Sequence, residues 1–409
     1  MKVAIIGSGP GGMIVSKVLT ENGISVSLFE KGRYFKQSEL IPFSAEELDE
    51  KYKHGGVSGA LGKPSISYVE GECLGGGSEV NSGLYHRTPE MIFDHWGISS
   101  FKYNDLISYF CKIEKELNVC KSPFQLPKAS LKLKHGADIL KWRCEEVPRW
   151  YRYESNTDKG IYSGKRQSMT EAILPKINKD LLEVKDQTNV IQVFPNSKNV
   201  GVKYIKDKKY FIEHFEYIFI CAGAINTPQL LKKSKFKNKN IGKNLKLHPS
   251  IKITAEFQEK INFKNSGVAV HQVKEFSPNY SFGCSISSPP HLAVNLLDNS
   301  IDASYLEEKW QYMSTYYSMV TDGFGSVNLT PFFKEPLVTF NLGEAGFDNI
   351  TEGLLKLGNL LFESGASTLY PSIKGVKGIS CSSEWNARVT GFSKSLYSLM
   401  TVHLMQPAK

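Results

Sequence analysis

Three glycines near the start of the chain have the spacing of a turn that binds a diphosphate. Gly7, Gly9 and Gly12 fit Gly-x-Gly-x-x-Gly, in which the glycines permit a tight turn, a close approach of the backbone to the ligand and close packing of a helix on a strand. Glu30 follows at the distance at which an acidic side chain reaches a ribose hydroxyl. Since a carboxylate disfavours a phosphorylated ribose, these residues predict FAD or NAD rather than NADP. The predicted contacts within the turn are Gly7, Ser8, Gly9, Pro10, Gly11 and Gly12.

The elements around this turn are predicted to be a strand, a helix and a second strand. Residues 3–6 form a continuous apolar run, which is typical of a strand covered on both faces. The helix that follows directs its free N–H groups and its positive dipole end at the diphosphate. Asn22 and Gly23 predict the end of this helix, and residues 25–29 form the second strand. This flanking favours a nucleotide site over a glycine turn without a ligand.

The composition is that of a globular protein with room for two domains. The chain has 409 residues, of which 41% are hydrophobic and 22% charged, so it can bury a sizeable core. The formal net charge of +9 comes from dispersed lysines. The densest basic stretch, residues 232–246, lacks the series of aromatic side chains that stack on bases, which argues against nucleic acid as a partner.

The cysteines and the apolar runs suggest a cellular location. Seven cysteines occur at wide spacings without a Cys-x-x-Cys pair, which argues against a disulfide framework or a metal site and favours the reducing cytoplasm. No apolar run has the length of a transmembrane helix. Because a strand is predicted to begin at the second residue, we expect no signal peptide.

Three later stretches decide between FAD and NAD. They are the glycine-dense loop GECLGGGSEVNSGLYHRTPE at 71–90, the strand and small-residue turn YIFICAGAINTPQLLKKS at 217–234, and IGKNLKLHPS at 241–250. In this order they resemble the glucose–methanol–choline (GMC) family of FAD-dependent alcohol oxidoreductases, and residues 164–177 and 338–372 extend the resemblance. It implies an α/β (α+β overall) fold, with a discontinuous Rossmann-like FAD-binding domain and an antiparallel-sheet substrate domain.

The resemblance also assigns residues to the cofactor. Glycines in the loop let the main chain pass against the flat isoalloxazine ring, where a side chain would collide, and Asn81 offers a donor and an acceptor to the ring edge. Val190 lies where the family pairs main chain with adenine, a core valine being the alternative. Some relatives attach FAD covalently through a histidine where this chain has Val80, so we expect non-covalent FAD. The residues assigned by resemblance are Gly75, Gly76, Gly77, Asn81, Gly83, Val190, Ala222 and Gly223.

A discontinuous domain arrangement follows from the resemblance. Residues 1–110 and 160–250 are expected to form the FAD-binding domain, with 111–159 as a mobile polar cap. Residues 251–390 are expected to form the substrate domain, and 391–409 the start of a truncated return to the FAD-binding domain.

Several elements of these domains can be predicted. Helices are expected over 304–317 and 349–365, and Thr227 is expected to cap a helix that has Pro228 in its first turn. Short β-branched or alternating runs separated by turn residues predict an antiparallel sheet. These runs are residues 250–258, 267–276, 280–288 and 325–333.

His403 is the candidate catalytic base. Oxidation of an alcohol removes a proton from oxygen and a hydride from carbon, and an imidazole has a suitable pKa for accepting that proton. In the GMC family a histidine after a C-terminal strand has this role, and SLYSLMTVHLMQP at 395–407 resembles the approach to it. The alternative for His403 is a buried structural histidine on an apolar strand.

The family pattern continues beyond His403, but this sequence does not. We therefore expect a truncated chain, or half of a split enzyme whose second polypeptide supplies the missing segment. The predicted small-molecule partner is an alcohol, a sugar or a sterol, and the electron acceptor stays open. The alternatives to an active alcohol dehydrogenase or oxidase are an inactive flavin-binding remnant and, ranked lower, an NAD-dependent Rossmann enzyme.

Overall fold

A parallel sheet and a large antiparallel sheet dominate the fold, which is the predicted mixed α/β class. The computed structural model describes residues 1–36, 38–153, 164–263, 266–331, 333–401 and 404–405. Within these residues, no helix combines the length and the apolar composition needed to cross a membrane. All seven cysteines lie in the described part of the chain and are free thiols.

The parallel sheet carries the glycine-rich turn. Alternate residues of its central strand enter two different cores: Ile5 packs under the helix Pro10–Glu21, while Ala4 and Ile6 pack against a three-stranded antiparallel sheet. This explains why the strand is apolar without interruption. Its strands lie in the order Tyr217–Ile220, Lys2–Ile6, Ser25–Phe29 and Leu182–Lys185.

The predicted strand, helix and strand at the start of the chain are confirmed. The helix ends at Glu21, and Gly23 adopts φ +75° directly after it, which is a conformation that glycine tolerates at a helix end. The second strand has the predicted bounds.

The large sheet is antiparallel except for one parallel strand pair, and it has nine strands among the described residues. One of its faces is apolar and lies under a long helix. Ser250–Phe257 lies near its centre and pairs with Met313–Val320 on one side and with Ala366–Pro371 and Leu399–Thr401 on the other. The helix Gly343–Glu363 covers the apolar face. The remaining strands are Ser58–Ala60, Ile66–Tyr68, Tyr280–Cys284, His271–Val273 and Cys144–Glu146.

Three smaller sheets complete the strands that the structure describes. Asn189–Pro195, Val200–Lys206 and Lys209–Phe215 form one of them. Leu337–Asn341, Phe324–Asn328, Lys243–Leu247 and Leu404–Met405 form another. Val119–Cys120, Arg149–Tyr153 and Gly164–Arg166 form the third. The other α-helices are Ala45–Lys51, Glu90–His95, Tyr103–Glu116, Lys128–Ile139, Gly223–Lys233, Pro289–Leu296, Ala303–Lys309 and Ser382–Val389.

The helix predictions need three corrections. The helix expected over 304–317 is wrong in its second half, because Ala303–Lys309 is helical but Met313–Val320 is a strand inside the large sheet. The helix expected over 349–365 begins six residues earlier, as Gly343–Glu363. Thr227 does not cap a helix, because Gly223–Lys233 begins four residues before it and encloses Pro228. Tertiary pairing and packing override local sequence signals in these cases.

The segment expected to be a cap is joined to the large sheet. Its strand Cys144–Glu146 pairs with His271–Val273. A Cβ on Gly136, in the helix Lys128–Ile139, would lie 2.5 Å from the carbonyl oxygen of Leu360 in the long helix. The domain boundaries themselves stay a prediction.

Candidate cofactor site

The glycine-rich turn is shaped by two close main-chain contacts. Gly7 adopts φ +99°, and a Cβ there would lie 2.4 Å from the carbonyl oxygen of Cys221. A Cβ on Gly12 would lie 1.9 Å from the carbonyl oxygen of Gly7, so a side chain fits at neither position. Gly9, by contrast, has nothing within 4 Å of its Cβ position and caps the helix Pro10–Glu21. The turn therefore presents open main chain at the positive end of a helix, which suits a diphosphate.

Ser8 connects this turn to Glu30 and to the second glycine loop. Its hydroxyl donates to Glu30 Oε2 at 2.6 Å, and its N–H donates to the same oxygen at 3.0 Å. The same hydroxyl accepts a hydrogen bond from the N–H of Gly75 at 2.9 Å, while the N–H of Gly32 donates to Glu30 Oε1 at 2.8 Å. Burial raises the pKa of the Glu30 carboxyl, and the donors on Gly32 and Ser8 oppose that rise.

The loop that contains Gly75, Gly76 and Gly77 folds back onto the turn. Gly75 has φ +95° and Gly76 has φ +54°, which are conformations that glycine adopts most readily. A Cβ on Gly76 would lie 3.0 Å from the Cα of Gly9, so the two glycine bends face each other. Gly77 is exposed and has nothing within 4 Å of its Cβ position. Open space over Gly9 and Gly77, beside these contacts, suits a dinucleotide with a flat ring, such as FAD.

Buried polar groups hold the second glycine loop in place. The Ser78 hydroxyl donates to the carbonyl oxygen of Gly75 at 2.8 Å and accepts from the N–H of Met169 at 3.0 Å. Glu79 is only 5% exposed, and its Oε1 accepts from the N–H of Thr170 at 3.2 Å and from the Thr170 hydroxyl at 2.9 Å. These bonds secure the loop to a segment about ninety residues later in the chain.

Arg166 and a local turn fix Asn81. The Arg166 guanidinium donates to the carbonyl oxygen of Asn81 at 2.6 Å and to that of Glu79. Asn81 Oδ1 accepts from the N–H of Gly83 at 2.6 Å, so Nδ2 is the side-chain group left to donate to a cofactor. Gly83 has φ +79°, and a Cβ there would lie 2.6 Å from the ring of Tyr151. The closeness of this ring explains why a residue without a side chain occupies position 83.

Ala222 and Gly223 lie beside the first turn. The strand Tyr217–Ile220 pairs with Lys2–Ile6, and this brings the Cα of Ala222 to 2.8 Å from the Cβ position of Gly7. Gly223 starts the next helix with φ +80°, is exposed and has nothing within 4 Å of its Cβ position. The small residues therefore leave room where the sequence predicts the cofactor.

Val190 lies at the edge of the same region. The N–H of Thr188 donates to the carbonyl oxygen of Glu30 at 2.7 Å, which holds the start of the strand Asn189–Pro195 beside the end of the strand Ser25–Phe29. Val190 is half-buried and packs against the cluster that contains Phe29. It is thus close to the proposed ribose position and also part of a hydrophobic cluster, and its contact with adenine stays a prediction.

His403 lies outside the described residues, but its neighbours in sequence are placed. The strand Leu399–Thr401 runs parallel to Ile66–Tyr68, which leads into the glycine loop. The N–H of His248 donates to the Thr401 hydroxyl at 3.3 Å. Leu404–Met405 pairs with the strand Lys243–Leu247.

The sequence reasoning missed the supporting polar residues Ser78, Glu79, Arg166 and Thr170. A signal existed in the charged residue Glu79, which lies two residues after the glycines expected to pass against the flavin ring. Its partners could not be identified without the fold, because they lie 87 to 91 residues away.

Comparisons with known proteins agree with this arrangement. Residues 48–250 match the family model described as GMC oxidoreductase. The chain is 32% identical to an uncharacterised GMC-type oxidoreductase of Sinorhizobium fredii, over 98% of this chain and 82% of that protein. It is 23% identical to the long-chain-alcohol oxidase FAO4A of Arabidopsis thaliana, over 89% of this chain and 54% of the oxidase. The chain thus spans about half the length of that plant relative.

A solved structure shares the fold. The crystal structure of pyridoxine 4-oxidase from Mesorbium loti matches with a TM-score of 0.67 at 14% sequence identity, covering 88% of this chain and 80% of that one. The likeness of fold agrees with the sequence identity to the Sinorhizobium protein along nearly the whole chain. On that identity, this chain belongs to the GMC oxidoreductase family.

Proposed function

We propose that this chain binds FAD non-covalently and oxidises the CH–OH group of an alcohol. The observation that supports this best is the meeting of two glycine bends, where Gly76 faces Gly9 and the hydroxyl of Ser8 accepts from the N–H of Gly75. The first bend suits a diphosphate at a helix end, and the second exposes main chain beside it. A flavin dinucleotide has both a diphosphate and a flat ring.

Each part of the cleft has a proposed role toward FAD. The N–H groups that begin the helix Pro10–Glu21 bind the diphosphate, and Glu30 accepts from a ribose hydroxyl. Gly77 leaves the ring unobstructed and Asn81 donates to its edge. Val80 offers no side-chain nucleophile, which supports a cofactor held without a covalent bond. Ala222 and Gly223 keep the space between the two bends free of bulk.

An alcohol substrate is supported by the names of similar proteins and by the chemistry of His403. The plant relative is a long-chain-alcohol oxidase, and the structural neighbour is a pyridoxine 4-oxidase. The flavin, when bound, accepts the hydride that leaves the alcohol carbon. His403 is proposed to accept the hydroxyl proton, since a neutral imidazole is a suitable base near neutral pH. The reducing cytoplasm is the proposed location, in accord with the free thiols.

The proposal is tested by anaerobic mixing of the FAD-loaded protein with primary and secondary alcohols. We expect loss of the oxidised flavin absorbance, and an approximately 10²- to 10⁴-fold slower loss in His403→Ala with the flavin still bound. His214→Ala, at an exposed position on the strand Lys209–Phe215, serves as the control and should match the unaltered protein. Flavin released into the supernatant on denaturation would establish non-covalent binding.

Three outcomes contradict parts of the proposal. A colourless protein that stays colourless with added FAD would overturn the cofactor assignment. A yellow protein whose flavin stays oxidised with every alcohol would instead support the non-catalytic, flavin-binding alternative. An unchanged rate in His403→Ala would remove this histidine from the mechanism.

A further inference from the structure

The large sheet has two unlike faces. Ile251 and Ile253 are fully buried in the core under the helix Gly343–Glu363. Because side chains alternate along a strand, Ser250 and Lys252 lie on the opposite face. The helix Pro289–Leu296 covers one part of that face, where Leu292 and Leu296 pack against Met313 and Tyr370. Several other residues on that face keep partial exposure. They are Ser67, Tyr317, Met319 and Met400.

Lys252 is a buried cation on this polar face. It is 9% exposed, and its ammonium group donates to Oδ1 of Asn295 at 3.1 Å. Within the described residues no carboxylate lies at ion-pair distance from it, and burial alone lowers the pKa of Lys252 to about 8. Glu256 is four residues further along the strand and accepts hydrogen bonds from Tyr305 and Tyr370 instead. A buried ammonium without an anion is unfavourable unless a ligand provides one.

A second buried polar group lies in the same row of the sheet. Lys252 lies opposite Tyr317 on the neighbouring strand. Tyr317 lies opposite Gly283 on the next strand, and Gly283 lies opposite Gln272 on the one after that. Gln272 is 6% exposed; its Nε2 donates to the Tyr317 hydroxyl at 3.2 Å, while its Oε1 has no partner within the described residues. Gly283 leaves the space that the Tyr317 hydroxyl occupies. The row therefore presents a cation at one end and an amide oxygen without a described partner at the other.

The neighbouring helix Pro289–Leu296 contributes one titratable side chain near Lys252, that of His291. The Ser288 hydroxyl donates its one proton to the carbonyl oxygen of Phe43, so Nδ1 of His291 donates to this hydroxyl at 2.7 Å. Burial, with the charge of Lys252, lowers the pKa of His291 to about 4, so this imidazole is neutral near pH 7. The ammonium of Lys252 thus remains the charge to which an anion on this face would be attracted.

Contacts connect this face to the proposed flavin site. The Ser288 hydroxyl donates to the carbonyl oxygen of Phe43 at 3.0 Å, and the Arg166 guanidinium lies 5.9 Å from the centre of the Phe43 ring. Arg166 in turn holds the main chain of Asn81. On the other side, Ser250 pairs with Met400, three residues before His403.

We propose that Lys252 binds a carboxylate of the substrate on this face, so that the enzyme oxidises a hydroxy acid in preference to an unsubstituted alcohol. This inference rests on the proposed function and specifies the substrate class of the same site. Asn295 positions the ammonium group, and the row from Tyr317 to Gln272 contacts polar groups elsewhere on the substrate.

Binding is tested first, without turnover, by calorimetric titration of the FAD-loaded protein with hexanoate and with hexanamide. We expect hexanoate to bind roughly tenfold or more tightly than the amide, since it gains a charge-assisted hydrogen bond. Lys252→Met should remove this difference, and Lys252→Arg should keep part of it. Lys356→Met, on the helix that covers the other face, is the matched control. Equal binding of the two probes, or an undiminished preference in Lys252→Met, would overturn the inference.

Turnover is tested with ω-hydroxy carboxylates of graded length, each paired with the n-alcohol of the same length. The second-order rate of anaerobic flavin reduction should favour the hydroxy acids roughly tenfold or more, and Lys252→Met should lose that factor. Flavin reduction by n-alcohols at the same rate as by hydroxy acids would contradict this inference, while it would still support alcohol oxidation. Hexanoate binding that depends on Lys252, without reduction by any alcohol, would support the carboxylate site and contradict the proposed function.

Discussion

At the scale of single residues, the candidate site depends on the hydroxyl of Ser8. This buried group donates to Glu30 and accepts from Gly75, so it fixes the spacing between the ribose carboxylate and the flavin loop. A serine at this position was predicted only as part of a nucleotide turn. Its connection to a residue 67 positions away became visible with the fold.

Replacing Ser8 should weaken FAD binding. In Ser8→Ala the N–H of Gly75 and the carboxylate of Glu30 each lose a partner, and unsatisfied buried groups cost about 1–3 kcal/mol each. We expect the dissociation constant for FAD to rise roughly tenfold or more, as measured by the change in flavin fluorescence on titration. Ser197→Ala, at an exposed turn, should leave the constant unchanged. An unaltered constant in Ser8→Ala would show that the two bends hold their positions without this hydroxyl.

Two buried lysines should respond to substitution in opposite directions. Lys53 contacts the carboxylates of Glu70 and Glu335 at 3.3 and 2.9 Å, whereas Lys252 has the amide of Asn295 as its described partner. Lys252→Met should raise the free energy of unfolding at pH 7 by roughly 1–3 kcal/mol, because it removes an uncompensated charge. Lys53→Met should lower it by about 3 kcal/mol, because it leaves buried carboxylates unpaired. Urea titration measures both.

The pH dependence of these two effects follows from the pKa shifts. Burial lowers the pKa of Lys252 to about 8, so the unfolded chain holds the proton at higher pH than the folded protein does. The penalty from Lys252 is therefore full below pH 8 and shrinks as the pH rises above it. Burial also acts on Lys53, but Glu70 and Glu335 outweigh it and raise the pKa of Lys53, so its contribution persists at pH 10. A gain from Lys252→Met that is as large at pH 10 as at pH 7 would contradict this account.

At the scale of elements, the effect of the glycine loop on FAD binding can be measured apart from its effect on the free energy of unfolding. Gly77 has ordinary backbone angles and open space around its Cβ position, so Gly77→Ala should fold with nearly unchanged unfolding free energy. The added methyl would lie where the flavin ring is proposed, and FAD affinity should fall roughly tenfold. Gly391→Ala, at an exposed turn with ordinary contacts, is the control. Normal FAD binding by Gly77→Ala would place the ring elsewhere.

Some elements could be predicted from the sequence and others could not, for a physical reason. The first strand, helix and strand carry local signals throughout: an uninterrupted apolar run, spaced glycines and an Asn-Gly stop. The segment Met313–Val320 carries none that distinguishes strand from helix, since its burial is set by pairing with Ser250–Phe257. In the site, the glycine turns could be predicted from conformational need. The contacts of Glu79 and Arg166 could not, because tertiary proximity alone creates them.

At the scale of the whole molecule, the proposed FAD cleft joins segments that are remote in sequence. The turn at Gly7, the loop at Gly76 and the helix start at Gly223 meet within a few ångströms. FAD should therefore slow hydrogen exchange at all three segments together, and stabilise the protein by about 3 kcal/mol at a hundredfold excess over the dissociation constant. The helix Ser382–Val389, which packs on the long helix Gly343–Glu363 through Trp385, should exchange unchanged. Protection limited to the first turn would indicate a mononucleotide site.

The two faces of the strand Ser250–Phe257 place different constraints on alternate residues of the sequence. Odd-numbered positions from Ile251 to Phe257 maintain the hydrophobic core, while Ser250, Lys252 and Thr254 face the opposite side. On the proposed role of Lys252, changes at the even-numbered positions would alter substrate preference while the apolar packing of Ile251 and Ile253 stays intact. Ser250 and Thr254 are buried and hydrogen-bonded to Met400 and Thr315, so a library at these positions should keep side chains that can replace those hydrogen bonds.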